Sequence, residues 1–306
     1  MGAGSGRLAR RLQDQKAGSM QAVGWDVGQL GVAFLIGATC ALLGVFVTTR
    51  GMAFLADAIA HAALAGVAVG LVVQRWVFGQ GGEERSWILQ IFFVSFCLGL
   101  AFLVQWLVEK TDLRPDTVIA FCFTGSVALG VTVLHRVAGP ETLEKWLFGA
   151  IEQTDWKDQV ICWILSVASF WGVLRWLGPL TLSALNQELA IADGIPARRV
   201  DRLLALGVGL VIGITLRMAG ALLVTALLVI PASTARLLAR SFRVTLVGSV
   251  LIGSLATLVG AWVSQKTNLP TGAVIVLLQV GLLVGSLILR ELNQWRIRLG
   301  DPTLSG

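Results

Sequence analysis

Charge is scarce in this sequence. Only 14% of its 306 residues are Asp, Glu, Lys or Arg, whereas 56% are hydrophobic and the mean hydropathy is +0.79. A soluble domain carries roughly 25% charged residues. The 24 Lys and Arg and 18 Asp and Glu present here cannot cover the surface of a soluble core of this length. A disordered chain, a collagen and an ordinary soluble enzyme are excluded. The chain also lacks a phosphate-binding GxxxxGK[ST] loop, since none of its lysines follows a glycine, so it does not drive itself with ATP in that way. It has no HExxH and no GxSxG, and its two histidines are too few for an ordinary intramembrane metalloprotease. The four cysteines, Cys40, Cys97, Cys122 and Cys162, all lie in apolar runs without a CxxC pair. They read as buried thiols and not as a disulfide framework or metal cluster.

What is present is a succession of apolar runs, at about 28–49, 52–73, 87–108, 117–137, 158–178, 203–216, 219–238, 244–263 and 271–290. Most are near the ~20 residues that cross ~30 Å of hydrocarbon as helix. The expected fold is all-α: a polytopic bundle of about eight to nine spans. Residues 1–27 read as a basic polar tail, 28–290 as one membrane domain and 291–306 as a cytoplasmic tail. A break is expected near Arg217–Gly220, because a helix from Leu203 to Ala235 would be about 50 Å long. Pro231 should kink its helix.

The formal charge of +6 would suggest nucleic acid in a soluble protein. Here the basic residues sit at the ends of apolar runs, as membrane orientation requires, so no nucleic-acid partner is expected. A cytoplasmic C-terminus places Arg50, Lys110, Arg114, Arg198, Arg202 and Arg240 inside and gives that side the larger basic share. The N-terminal tail then lies outside, against the rule. Either it is an exception or one segment does not cross.

Two ionisable residues stand out within a span. Asp57 and His61 are four apart in RGMAFLADAIAHAALAGVAVG, on one helix face with Cβ atoms about 5–6 Å apart. Burying a charge there costs about 2.5–3.5 kcal/mol on insertion scales, so the pair should face protein or water. Both side chains can ligate Zn²⁺ or Mn²⁺. An internal Asp–His hydrogen bond that braces helices is the alternative. Ala58, Ala62, Gly66 and Gly70 form a column of small residues suited to close helix packing. Asp116 opens a later span and is either a third ligand or a helix N-terminal acid. His135 and Arg217 read as interfacial residues. In the loop 179–202, a short helix from about Ser183 to Asp193 is expected, with Gly194 as its C-cap and Pro196 as a stop. It can dock into a partner's groove or lie on lipid.

These segments resemble the permease subunits of bacterial zinc and manganese ABC importers. The resemblance rests on RGMAFLADAIAHAALAGVAVG, on Asp116–Thr117, on WLFGAI at 146–151, on ELAIADGI at 188–195 and on AGALLVTALLVIPASTARLLAR at 219–240. It spans about residues 28–290.

The resemblance implies a multi-pass protein of the bacterial plasma (inner) membrane. It would be a transport subunit and not an enzyme, with no permanently bound cofactor. The transported species would be a divalent metal ion, zinc or manganese, with iron also compatible. The implied partners are a cytoplasmic ABC ATPase, an extracytoplasmic metal-binding protein, a second permease copy in a homo- or heterodimer, and the lipid bilayer. Asp57, His61 and Asp116 match the family's polar positions. Glu188, Ala190, Asp193 and Gly194 match its ATPase-coupling segment. A gradient-driven cation carrier that uses Asp57 and His61 as a relay, and a structural membrane scaffold, are the other classes open to the residues alone.

Overall fold

The computed structural model describes residues 27–78, 86–137, 156–267 and 269–300, and helix is the only regular structure among them. The helices are α1 (Val27–Thr49), α2 (Phe54–Phe78), α3 (Ser86–Lys110), α4 (Pro115–Val137), α5 (Trp156–Arg175), α6 (Leu177–Leu185), α7 (Gln187–Ala192), α8 (Ala197–Ala219), α9 (Ala221–Leu238), α10 (Phe242–Thr267) and α11 (Thr271–Gly300). Every apolar run of the sequence falls on one of the longer helices. Among the described residues, seven helices are long and apolar enough to cross a membrane, and the pair α5–α6, bent by 62°, is an eighth if it forms one span. The run at 203–216 lies on α8, behind a start that carries Arg198, Arg199, Asp201 and Arg202.

The expected break falls at Gly220, between α8 and α9. Its φ of 79° with ψ of 157° is a conformation open almost only to glycine. Pro231 lies buried inside α9, where its ring removes the backbone donor that the Leu227 carbonyl would otherwise accept. The loop expected at 179–202 is mostly helical. One helix from 183 to 193 does not form, because Asn186 adopts extended backbone and its side chain accepts the Leu189 N–H at 3.1 Å. That is an N-cap, and it starts α7 afresh.

Small residues set the packing. A Cβ on Gly44 would collide with the backbone of Leu228, so α1 and α9 touch main chain to main chain. A Cβ on Gly37 would lie 2.8 Å from the Gly253 carbonyl, and Ser249 Oγ donates to the Ala41 carbonyl at 2.9 Å. Both contacts join α1 to α10. Such approaches suit a bilayer, where no hydrophobic effect drives helices together and close packing must do so. All four cysteines are buried and free. The N-terminal tail and WLFGAI lie outside the described residues, apart from Val27. Helix α11 continues past the last apolar run to Gly300.

Candidate functional site

Helix α2 presents two adjacent columns. Ala58, Ala62, Gly66 and Gly70 are buried, and a Cβ on Gly66 would lie 2.9 Å from Phe96 Cβ and 3.1 Å from the Phe92 carbonyl. This column therefore seats α2 on α3. The neighbouring column, Asp57, His61 and Ala65, faces α4. The His61 ring meets Phe123 edge to face at 4.9 Å, and the backbone of Ala65 would lie 3.2 Å from a Cβ on Gly130. Residue numbers rise together along both helices, so α2 and α4 run parallel.

Asp57 lies in the first turn of α2. At 1.5 Å per residue the pair sits about 5–10 Å above the start of the helix, nearer one membrane face than the midplane. Both side chains are half-buried. His61 Nδ1 is 2.8 Å from the Asp57 carbonyl oxygen. A carbonyl only accepts, so Nδ1 is the donor here, and in the neutral ring that leaves the lone pair on Nε2. This is the second-shell arrangement that orients a ligating imidazole. His61 thus bonds to the main chain of Asp57 and not to its carboxylate. Among the described residues the Asp57 carboxylate makes no hydrogen bond or ion pair.

Asp116 is exposed in the first turn of α4, next to Pro115 at the helix start. Because α2 and α4 are parallel, it lies on the same side of the bundle as Asp57. Among the described residues no group of three His, Cys, Asp or Glu gathers as a metal cluster. Asp57 and His61 are thus brought together, and Asp116 does not complete a three-ligand site within one chain. His135 is exposed near the end of α4.

The segment 186–196 is built with care. Helix α7 ends at Ala192. The Gly194 N–H donates to the Ile191 carbonyl at 3.0 Å and the Ile195 N–H to the Ala190 carbonyl at 2.9 Å. With Gly194 at φ 76° this is a Schellman C-cap. Ala190 is fully buried, while Glu188, Leu189, Ile191, Asp193 and Gly194 are exposed. A rigid stub thus presents acidic and apolar side chains outward.

One residue of this region was not singled out by sequence. Arg50, in the turn between α1 and α2, has a side chain only 8% exposed. It pairs with Asp201 on α8 and donates to Ser183 Oγ on α6 at 3.1 Å. Burial pushes its pKa down to about 10, so it stays cationic at neutral pH. Gly51, at φ 71°, lets the chain reverse beside it, and Gln105 on α3 reaches the Met52 sulfur at 3.9 Å. Arg50 thus ties the start of α2 to both helices that flank α7. Its only sequence signal is its place in the RGM opening of the second-span block.

A family model described as the ABC 3 transport family matches residues 28–290, nearly the whole membrane part. The chain belongs to the ABC 3 transport family. Among its ABC 3 relatives, the manganese transport system membrane protein MntC of Halalkalibacterium halodurans is 28% identical over 250 residues, covering 81% of each chain. The high-affinity zinc uptake system membrane protein ZnuB of Haemophilus influenzae is 29% identical over 251 residues, covering 81% of this chain and 91% of its own. The solved structure of PsaBC from Streptococcus pneumoniae in complex with Fab is 26% identical, with a TM-score of 0.71, and the match covers 85% of this chain and 89% of that one. This ABC 3 chain is therefore a multi-pass membrane transport subunit, and the family keeps ATP hydrolysis on another chain.

Proposed function

We propose that this chain is the permease subunit of an ATP-driven importer of zinc or manganese in a bacterial inner membrane. The observation that carries the reading is the pair on α2. His61 holds its proton on Nδ1 against the Asp57 carbonyl, which leaves Nε2 and the Asp57 carboxylate as donors toward one face. Two donors from one chain are too few for a closed site. A second copy across a dimer seam would bring two more, which matches the four-coordinate preference of zinc. The same half-built site suits transport, since a cargo ion must bind well enough to enter and weakly enough to leave. Asp116, at the same side of the bundle, would receive the ion as a charged vestibule residue.

The energy would come from an ABC ATPase bound at α7. Its docking surface is Glu188, Leu189, Ile191, Asp193 and Gly194, with Ala190 buried as the pivot beneath. An extracytoplasmic binding protein would deliver the ion to the opposite face. The chain itself supplies ligands, a path and a lever.

The test is metal uptake by the assembled complex. Asp57→Ala should abolish uptake while the subunits still co-purify. Normal uptake in that variant would place the pathway elsewhere. A gradient-driven carrier would instead move metal without an ATPase and respond to a pH gradient.

A further inference from the structure

A crevice of about 310 Å³ opens where the last turn of α3 meets the start of α8, lined by Phe102, Trp106, Glu109, Lys110, Arg198 and Arg202. It takes no part in the ion path described above. Its charges are unevenly matched. Arg202 clamps Glu109 through two hydrogen bonds of 2.6 Å each, a bidentate pair that satisfies both partners. Lys110 and Arg198 are exposed and have no ion-pair partner among the described residues. Three cations thus surround a single carboxylate, and two of them are free to take an anion.

The other wall is apolar. Phe102 and Trp106 lie one helical turn apart on α3 and are 54% and 47% exposed. Lys110 ends the apolar span Gln90–Lys110. The crevice therefore sits at the depth where hydrocarbon gives way to headgroups, with its aromatic wall on the hydrocarbon side and its free cations on the water side.

We propose that this crevice binds an anionic phospholipid. The headgroup phosphate lies between Lys110 and Arg198, and an acyl chain runs along Trp106 and Phe102. The Glu109–Arg202 clamp holds α3 and α8 at the spacing that keeps the crevice open. Inorganic phosphate has the charge but leaves the aromatic wall bare. A zwitterionic lipid carries its own cation, which Lys110 and Arg198 repel. Basic pockets between transmembrane helices take anionic headgroups by this charge logic.

The experiment is native mass spectrometry of the transporter purified from its membrane, delipidated, then titrated with phosphatidylglycerol, phosphatidylcholine or inorganic phosphate. One phosphatidylglycerol should be retained per copy of this chain, in preference to phosphatidylcholine. The double variant Lys110→Gln, Arg198→Gln should bind it at least tenfold more weakly. It leaves the Glu109–Arg202 clamp intact and alters only exposed side chains. Trp106→Ala should weaken phosphatidylglycerol without changing the response to inorganic phosphate. Equal retention by the double variant overturns the proposal. So does displacement of the lipid by inorganic phosphate at similar concentration, which would make this a soluble-anion site. Loss of a protein subunit from the double variant would assign the crevice to a subunit contact and also overturn it. None of these results bears on Asp57 and His61, so the transport reading stands or falls separately.

Discussion

A single proton position decides what His61 can do. With Nδ1–H held by the Asp57 carbonyl, Nε2 is the nitrogen that can meet a cation, and the ring cannot swing without losing that bond. His61→Gln should therefore keep the fold and lose most metal uptake, read as initial uptake rate at saturating ATP. Retention of half or more of the wild-type rate would make the ring a packing group against Phe123. Arg50 acts at the same scale by a different route. Its guanidinium is buried, cationic at neutral pH and paired with Asp201. Removing one partner of such a pair leaves the other uncompensated, a loss of roughly 3 kcal/mol. Arg50→Met should lower the thermal midpoint of the purified complex, and Arg50→Met with Asp201→Leu should recover part of the loss. A double variant no better than the single one would mean that the pairing itself carries little.

Helices α1, α2 and α9 owe their places to residues that lack side chains. Gly44 brings α1 onto the main chain of Leu228, and any Cβ there displaces a backbone. Gly44→Val should destabilise by at least the ~1–3 kcal/mol typical of overpacked cores, seen as a broadened or aggregated peak in size-exclusion chromatography. At Gly99, where a Cβ meets nothing, alanine should be tolerated. The short helix α7 shows how far such detail could be read from sequence. Gly194 as C-cap and the stop at Pro196 were legible, because only a few residues fit a left-handed cap. The break at Asn186 was not, because Ser183–Asp193 also satisfies a helical pattern and the deciding contact is one local hydrogen bond to Leu189 N–H. The break at Gly220 was legible for a cruder reason: an unbroken helix would be too long. If α7 carries the force of the ATPase, Glu188→Arg should leave hydrolysis running and cut the metal moved per ATP severalfold. An unchanged ratio would move the contact off this helix.

At the scale of the whole molecule, the apolar runs determined the number and order of the long helices, since a run of about 20 residues satisfies its own backbone polar groups in hydrocarbon as helix, whereas barrel strands are about half that length. The pair Asp57–His61 stood out because ionisable residues in a span are expensive. Its orientation toward α4 depends on contacts such as His61 with Phe123, about 60 residues apart, and the bonds of Arg50 to Asp201 and Ser183 join segments more than 100 residues apart, which composition and spacing do not encode. The molecule joins these features in one frame. The start of α2 carries the proposed cation-binding pair, and Arg50 just before it is tied to α6 and α8, the helices that flank α7. Movement of α7 can thus reach the pair through one short link.

The most direct measurement is ATP-dependent uptake of zinc and manganese into proteoliposomes containing the purified complex, with wild-type chain and with Asp57→Ala side by side. The expected result is ATP-dependent uptake by the wild type, and ATP hydrolysis without uptake by the variant. Equal uptake by both, or wild-type uptake that ignores ATP and follows a proton gradient, would contradict import through an ATP-driven pathway at Asp57 and His61.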